Sequence, residues 1–247
     1  MKEIIFHIPH DGHKIPKSLR DSLLIPNIEL KEYDRNMSDR LVSELVNDLP
    51  YPVYKFNISR LMCDVERFLT DEVMEQYGMG YCYEKFYNNK TFKNTTEKIK
   101  QTTKKYYLKH HNLLNKLALS YQKNQEWLFI DLHSFNTKAT RKELIKRNKT
   151  MPDICIGFDK DYCSKKYIKL AKETFENYGY KVIYNYPYSG SLIPNIIYER
   201  GDKSKINSLM IEINSECYLD NNRNLKVEHV HLKEAIKSFC LRVDKEL

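Results

Sequence analysis

Trp127-Leu128-Phe129-Ile130-Asp131-Leu132-His133 is the stretch on which the fold turns. It is an unbroken apolar run that ends in an acid and a histidine, the pattern of a central strand covered on both faces. Just before it, Lys104 to Tyr121 has helical spacing, with Tyr107, Leu113, Leu114 and Leu117 on one side. After it, Asp153 to Ile156 reads as a short strand and Ser164 to Tyr178 as a helix stopped by Gly179. Lys181 to Asn185 and Ser208 to Ile213 are further short strands, and Val230 to Val243 is a closing helix. Toward the amino end, Ile4 to Ile8 is a strand that delivers His10 into the turn Pro9-His10-Asp11-Gly12. Asp39 to Val46 has helical spacing, and Tyr51 to Leu61 looks like another strand. Thr70 to Lys100 is polar and aromatic with few periodic apolar positions, so it is expected to be a long excursion over the surface. Strands alternating with helices predict an α/β fold with a mixed, mostly parallel central sheet and helices on both faces. With no internal repeat and no Gly/Ser linker, a single domain across residues 1–247 is the economical expectation.

Composition narrows the function classes. The chain is 41% hydrophobic with a mean hydropathy of −0.65, enough for a sizeable core under a well-solvated surface. Apolar runs recur from end to end, which argues against general disorder. None reaches the roughly 20 residues needed to cross a bilayer. The opening MKEIIFHIPHDG lacks the long apolar region of a signal peptide. A cytoplasmic protein with no membrane partner is expected. The six cysteines are scattered and form no C-x-x-C pair, against both a thiolate zinc module and a disulfide framework. The formal charge is +8. Its densest section, Lys90 to Lys109, is mixed with Thr, Asn and Tyr and reads as a solvated helical face, so nucleic acid is not the expected partner. The charge suits attraction of a small anionic substrate.

In an open α/β sheet, ligands collect at the carboxyl ends of the strands. The polar residues there are His10, then Arg60 with Asp64, Glu66 and Arg67, then Asp131 with His133, and finally Glu212 with Asn214. Two strand-end histidines and a carboxylate would make a three-ligand zinc site with one position open to water. A metal there would lower the pKa of its water to around 7 and polarise a carbonyl, while Glu212 relays a proton to the leaving nitrogen. Asp131 reads as a support for a ligand or as a strand-end turn residue. His7 should point to the face opposite His10 and, with His13, serve as a support or surface residue. Of His110 and His111, one is expected at the cleft and the other in solvent. Ser134 lacks a G-x-S-x-G elbow, which speaks against a serine hydrolase.

The motifs resemble those of the N-formylglutamate amidohydrolase family. Pro9-His10-Asp11-Gly12 with Ile15-Pro16 is similar to its Pro-His-Ser-Gly…Ile-Pro opening. Ser59-Arg60, Asp64 and Glu66-Arg67 resemble its Ser-Arg…Val-Asp-Leu-Asn-Arg, and Tyr106-Tyr107…His111 its Tyr-Tyr…Pro-Tyr-His. Asp131-Leu132-His133-Ser134-Phe135 matches as it stands. Asn185 to Gly190 resembles Asn-x-Pro-Phe/Tyr-x-Gly-Gly, and Ile211 to Asn214 with Tyr218-Leu219-Asp220 resembles the family's ending. The motifs fall in family order.

The resemblance implies a zinc-carboxypeptidase/phosphorylase-hydrolase-like fold, one Zn²⁺ per chain, and hydrolysis of N-formyl-L-glutamate to formate and L-glutamate or of a related N-acyl amino acid. It makes His10 and His133 zinc ligands. A carboxypeptidase-like pattern would put Glu three residues after the first histidine, where His13 stands. Asp34, which resembles an acidic position shortly after the family's opening motif, is the expected third ligand, with Asp39 in reserve. Glu212 would be the base and acid, Arg60 the oxyanion stabiliser, and Arg67 the partner of the substrate carboxylate, with Asp64, Glu66, Tyr188 and Gly190 also at the substrate. Three departures bear on specificity: Glu66 stands for Asn, Ser191 for a second glycine, and no Arg follows two residues after Ile213. A zinc carboxypeptidase or peptidoglycan-fragment amidase is the alternative within this chemistry. A non-catalytic binding protein on the same fold is the alternative outside it.

Overall fold

In a computed structural model of the chain, which describes residues 2–120, 126–138, 140, 150–201 and 206–246, the apolar run becomes β3 (Glu126–Phe135) inside a six-stranded sheet. The other strands are β1 (Lys2–Ile8), β2 (Val53–Lys55), β4 (Ile154–Gly157), β5 (Val182–Tyr184) and β6 (Asn207–Asn214), in the order β2-β1-β3-β6-β4-β5. Every pairing is parallel except β4 with β6. The mostly parallel sheet expected from the sequence is present, and the one reversal lies next to its centre.

Residue alternation explains the layering. Ile4, Phe6, Ile8, Leu128, Ile130 and Leu132 point to one face, which α4 (Lys165–Asn177) and α6 (His229–Glu246) cover. Ile5, Trp127 and Phe129 point to the other, under α3 (Glu97–Ser120) and α5 (Asn195–Arg200). With both faces buried, the inner positions of β1 and β3 are apolar up to His7 and Asp131, where the polar residues of the site begin. Each such side chain contributes roughly 1.5–3 kcal/mol by leaving water.

Three expectations change. Asp39 to Val46 is not an α-helix; α2 (Asn27–Met37) precedes it, and only a 3-10 turn spans Val42–Leu45. The cause is local. Asp11 accepts from the Leu41 and Ser43 backbone N–H groups, at 2.8 and 3.1 Å, and Leu41 takes φ 60°. The strand expected from Tyr51 to Leu61 shrinks to Val53–Lys55, after which the chain turns inward. The segment from Thr70 to Lys100 is not a surface excursion. Tyr83, Phe86, Phe92 and Lys93 are fully buried in a second core with Leu61, Met62 and Val65. Phe86 stacks between Tyr33 and Phe92, with ring centroids 3.6 and 4.2 Å away, and the Lys93 ammonium donates to the carbonyl of Leu61 at 2.8 Å. α3 starts earlier than Lys104, and the expected end at Tyr121 lies outside the described residues. Among the described residues no helix is long and apolar enough to cross a membrane.

Candidate metal centre and active site

Strand ends and register assemble the site. In β3 and β6, His133 lies opposite Glu212; in β1 and β3, His7 lies opposite Asp131. His10 follows β1 in a turn whose Gly12 packs against the strand beyond β2; a Cβ there would sit 2.3 Å from the Phe56 carbonyl oxygen. The turn's carbonyl at His10 receives the Asp39 N–H at 3.0 Å, which swings Asp39 over the sheet end.

His10, Asp39 and His133 converge there, all buried, with one potential ligand atom each within 4.8 Å of the others. Asp39 Oδ2 is 3.6 Å from His10 Nδ1 and 2.9 Å from His133 Nδ1. Burial would raise the Asp39 carboxyl, but the two histidines outweigh it and hold the group well below the usual carboxylate range. Buried acids face the opposite ring nitrogens, and that of His10 is anchored by a hydrogen bond. His10 Nε2 donates to Asp64 Oδ1 at 2.8 Å, and His133 Nε2 stands 3.1 Å from Asp131 Oδ1. Anchoring the far nitrogen of a histidine to a carboxylate is how proteins orient metal ligands. His10 Nδ1, by contrast, is buried with no hydrogen-bond partner among the described residues. An orphaned, well-oriented imidazole nitrogen beside a carboxylate and a second imidazole fits a zinc-type cation.

Asp34 does not join them. On α2 it faces His13 at 2.6 Å and Ser59 at 2.5 Å, pinning the turn after β1 to that helix, and Asp39 stands with the two histidines where Asp34 was expected. Asp64, expected beside the substrate, is instead fully enclosed. Its oxygens accept from His10, Arg60 and Tyr83 at 2.8, 2.9 and 2.8 Å, so it orients the His10 ring. Burial would raise its carboxyl, yet His10, Arg60 and Arg67 keep it well below the ordinary value.

A cavity of about 590 Å³ opens over the group, within the usual range for small-molecule sites. Arg60, Glu66, Arg67, Tyr188, Gly190 and Glu212 all line it. Glu212 is buried, and its carboxyl is pushed up to about 8 by that burial, with Asp39 and Glu66 nearby reinforcing it against His133 and Arg60. A carboxyl that exchanges its proton near neutrality suits general acid–base work. Arg60 is held by Asp64 and lies 3.6 Å from Asp39, while its Nε is buried and unpartnered among the described residues, as is Nε of Arg67. Two guanidinium groups with unused donors on one wall make it anion-attracting. The opposite wall, around Gly190, rests on Gly157 of β4, where a Cβ would meet the Gly190 carbonyl oxygen at 2.4 Å.

His7 and His110 were not legible as parts of the site. His7 is fully buried on the α3 side of the sheet, its Nδ1 2.9 Å from Asp131 and its Nε2 2.9 Å from Nε2 of His110. Neither His110 nor His111 meets solvent: burial, with His7 and His111 beside it, lowers His110 to about 2, and His111 lines the cavity while bonded to the Val65 carbonyl at 2.8 Å. Their shared signal was position on α3, whose inward face the sequence marks only by Tyr107 and Leu114.

Residues 2–219 match the N-formylglutamate amidohydrolase family. The chain belongs to that family. Among solved structures it is similar to the N-formylglutamate amidohydrolase of Ralstonia eutropha JMP134, with TM-score 0.81 and 20% identity over 98% of this chain and 93% of that one. It also resembles the Atu2144 gene product of Agrobacterium tumefaciens, with TM-score 0.61 and 15% identity over 96% and 91% of the two chains. At these identities the structural likeness speaks to the fold alone. No curated protein matches the sequence.

Proposed function

We propose that this member of the N-formylglutamate amidohydrolase family is a zinc-dependent hydrolase of N-formyl- or N-acyl-amino acids, with His10, Asp39 and His133 as the ligands of one catalytic ion. The observation that carries the reading is the orphaned Nδ1 of His10, aimed at Asp39 beside a Glu212 whose proton is held to about 8. Zinc bound there would acidify a water and polarise the amide carbonyl. Glu212 takes the proton of the attacking water and delivers it to the leaving nitrogen, which must depart as an amine. Arg60, fixed by Asp64, presents its guanidinium to negative charge as it grows on the carbonyl oxygen. Arg67 binds the carboxylate of a small anionic substrate, for which its planar fork is suited. Tyr188 and Gly190 form the facing wall. Glu66 stands where a carboxylate-bearing side chain would be repelled, so glutamate need not be the preferred amino acid.

The test is formate or acid release from a panel of N-formyl and N-acyl amino acids, with metal content measured alongside. Glu212→Gln is expected to keep its zinc and lose about 10²–10⁴-fold in kcat. Full turnover in that variant would remove the assigned base, and a purified chain with neither zinc nor affinity for it would remove the metal.

A further inference from the structure

Behind the His133 ring lies a second group of ligating atoms to which the reaction above gives no metal. His7, Glu66 and Asp131 each offer one atom, all within 4.8 Å of one another. His133 turns Nε2 toward two of them, 3.1 Å from Asp131 Oδ1 and 3.3 Å from Glu66 Oε2. His7 Nδ1 lies 2.9 Å from Asp131 Oδ1 and 3.8 Å from Glu66 Oε1. Around a tetrahedral zinc with ligand bonds of about 2.0–2.1 Å, neighbouring ligand atoms sit roughly 3.3 Å apart. The four separations straddle that spacing.

Hydrogen bonding does not account for the arrangement. The two ring nitrogens can bring at most two protons to three carboxylate oxygens. Asp131 Oδ1 takes the bond from His7, and Glu66 Oε1 and His133 Nε2 are left buried with no hydrogen-bond partner among the described residues. A buried carboxylate oxygen without a donor is costly unless positive charge compensates it. Two imidazoles with two carboxylates are a donor set for a divalent transition metal. His110, 2.9 Å from His7 Nε2, can accept the proton there and leave Nδ1 of His7 to face the group. Glu66, Asp131 and His133 all line the cavity, so an ion has a way in.

We propose that His7, Glu66 and Asp131, with Nε2 of His133, form a second divalent-cation site. Binding there needs His7 Nδ1 and His133 Nε2 free of protons: His7 takes the tautomer protonated on Nε2, which donates to His110, and the Nε2 proton of His133 leaves to solvent, so that His133 would bridge two ions through its two nitrogens. The idea shares His133 with the reading of the first site and otherwise stands on its own ligands.

The full chain, stripped of metal and dialysed against zinc, is to be read by elemental analysis. Two zinc ions per chain are expected, falling to one in Glu66→Gln, in His7→Gln and in His10→Gln, with thermal melts verifying that each variant is folded. The copper-loaded chain should show an electron paramagnetic resonance intensity below that of two independent spins, because the ring couples them, and Glu66→Gln should restore an uncoupled single-spin signal. One zinc per wild-type chain, unchanged in Glu66→Gln and absent in His10→Gln, would overturn the second site while leaving the first. Two zinc ions that survive in both Glu66→Gln and His7→Gln would overturn it as well. No zinc in the wild type would sink both.

Discussion

Asp64 shows how much one side chain can be asked to do. It touches no substrate, yet it fixes the ring of His10, the guanidinium of Arg60 and the hydroxyl of Tyr83 at once. Replacing it with Asn keeps the shape but removes the charge that anchors both His10, the proposed ligand, and Arg60, the proposed oxyanion partner. Asp64→Asn is expected to weaken zinc affinity about 10–100-fold, as loss of a ligand's supporting carboxylate generally does. Competition with a chromogenic chelator measures this, and an unchanged affinity would show that His10 needs no anchor. His10, His133 and Glu212 were visible in the sequence because each ends an apolar run. Asp39 was ranked below Asp34 because nothing in sequence separates two acids on adjacent turns. The deciding fact is a backbone bond from Asp39 to the His10 carbonyl, which only the folded chain supplies.

Among the elements, α2 and the turn after β1 are joined through His13, between Asp34 at 2.6 Å and Asp11 at 3.6 Å. Donation to Asp11 and Asp34, which favours the charged ring, raises the His13 pKa from 6.5 to about 9. A raised histidine stabilises the fold fully below its unfolded value and loses that contribution as pH climbs through the folded one. His13→Gln should therefore melt below the wild type at pH 6, and the gap should close by pH 10. Because the His13 side chain is 39% exposed, water screens the pair and the shift is on the order of 1–2 °C. A gap independent of pH in differential scanning calorimetry would contradict the linkage. Elements with a period were legible: β1, β3, β6, α4 and α6 lie close to their expected bounds. The segment from Thr70 to Lys100 was not, because its buried residues are held by turns and a 3-10 helix (Val73–Tyr77), which impose no regular spacing on Tyr83, Phe86 and Phe92. The end of the Asp39 to Val46 helix pattern fails for a related reason, since the Asp11 side chain competes for the N–H groups a helix would use.

At the scale of the whole molecule, that aromatic core forms the wall carrying Arg60, Glu66 and Arg67. Truncating Phe86, which is fully enclosed between two rings, is expected to cost about 3–5 kcal/mol in chemical denaturation. A loss below 1 kcal/mol would mean the segment is not part of the cooperative fold. The sheet order carries a different consequence. Among the described residues β6 is the last strand in chain order, yet it lies between β3 and β4. A polypeptide still on the ribosome, or cut short before Asn207, would hold every residue assigned to the first ion but present the long apolar edge of β3 to its surroundings. Such edges recruit other chains. Interrupted synthesis should therefore yield aggregates or substrates for proteolysis, and never a half-finished metal binder.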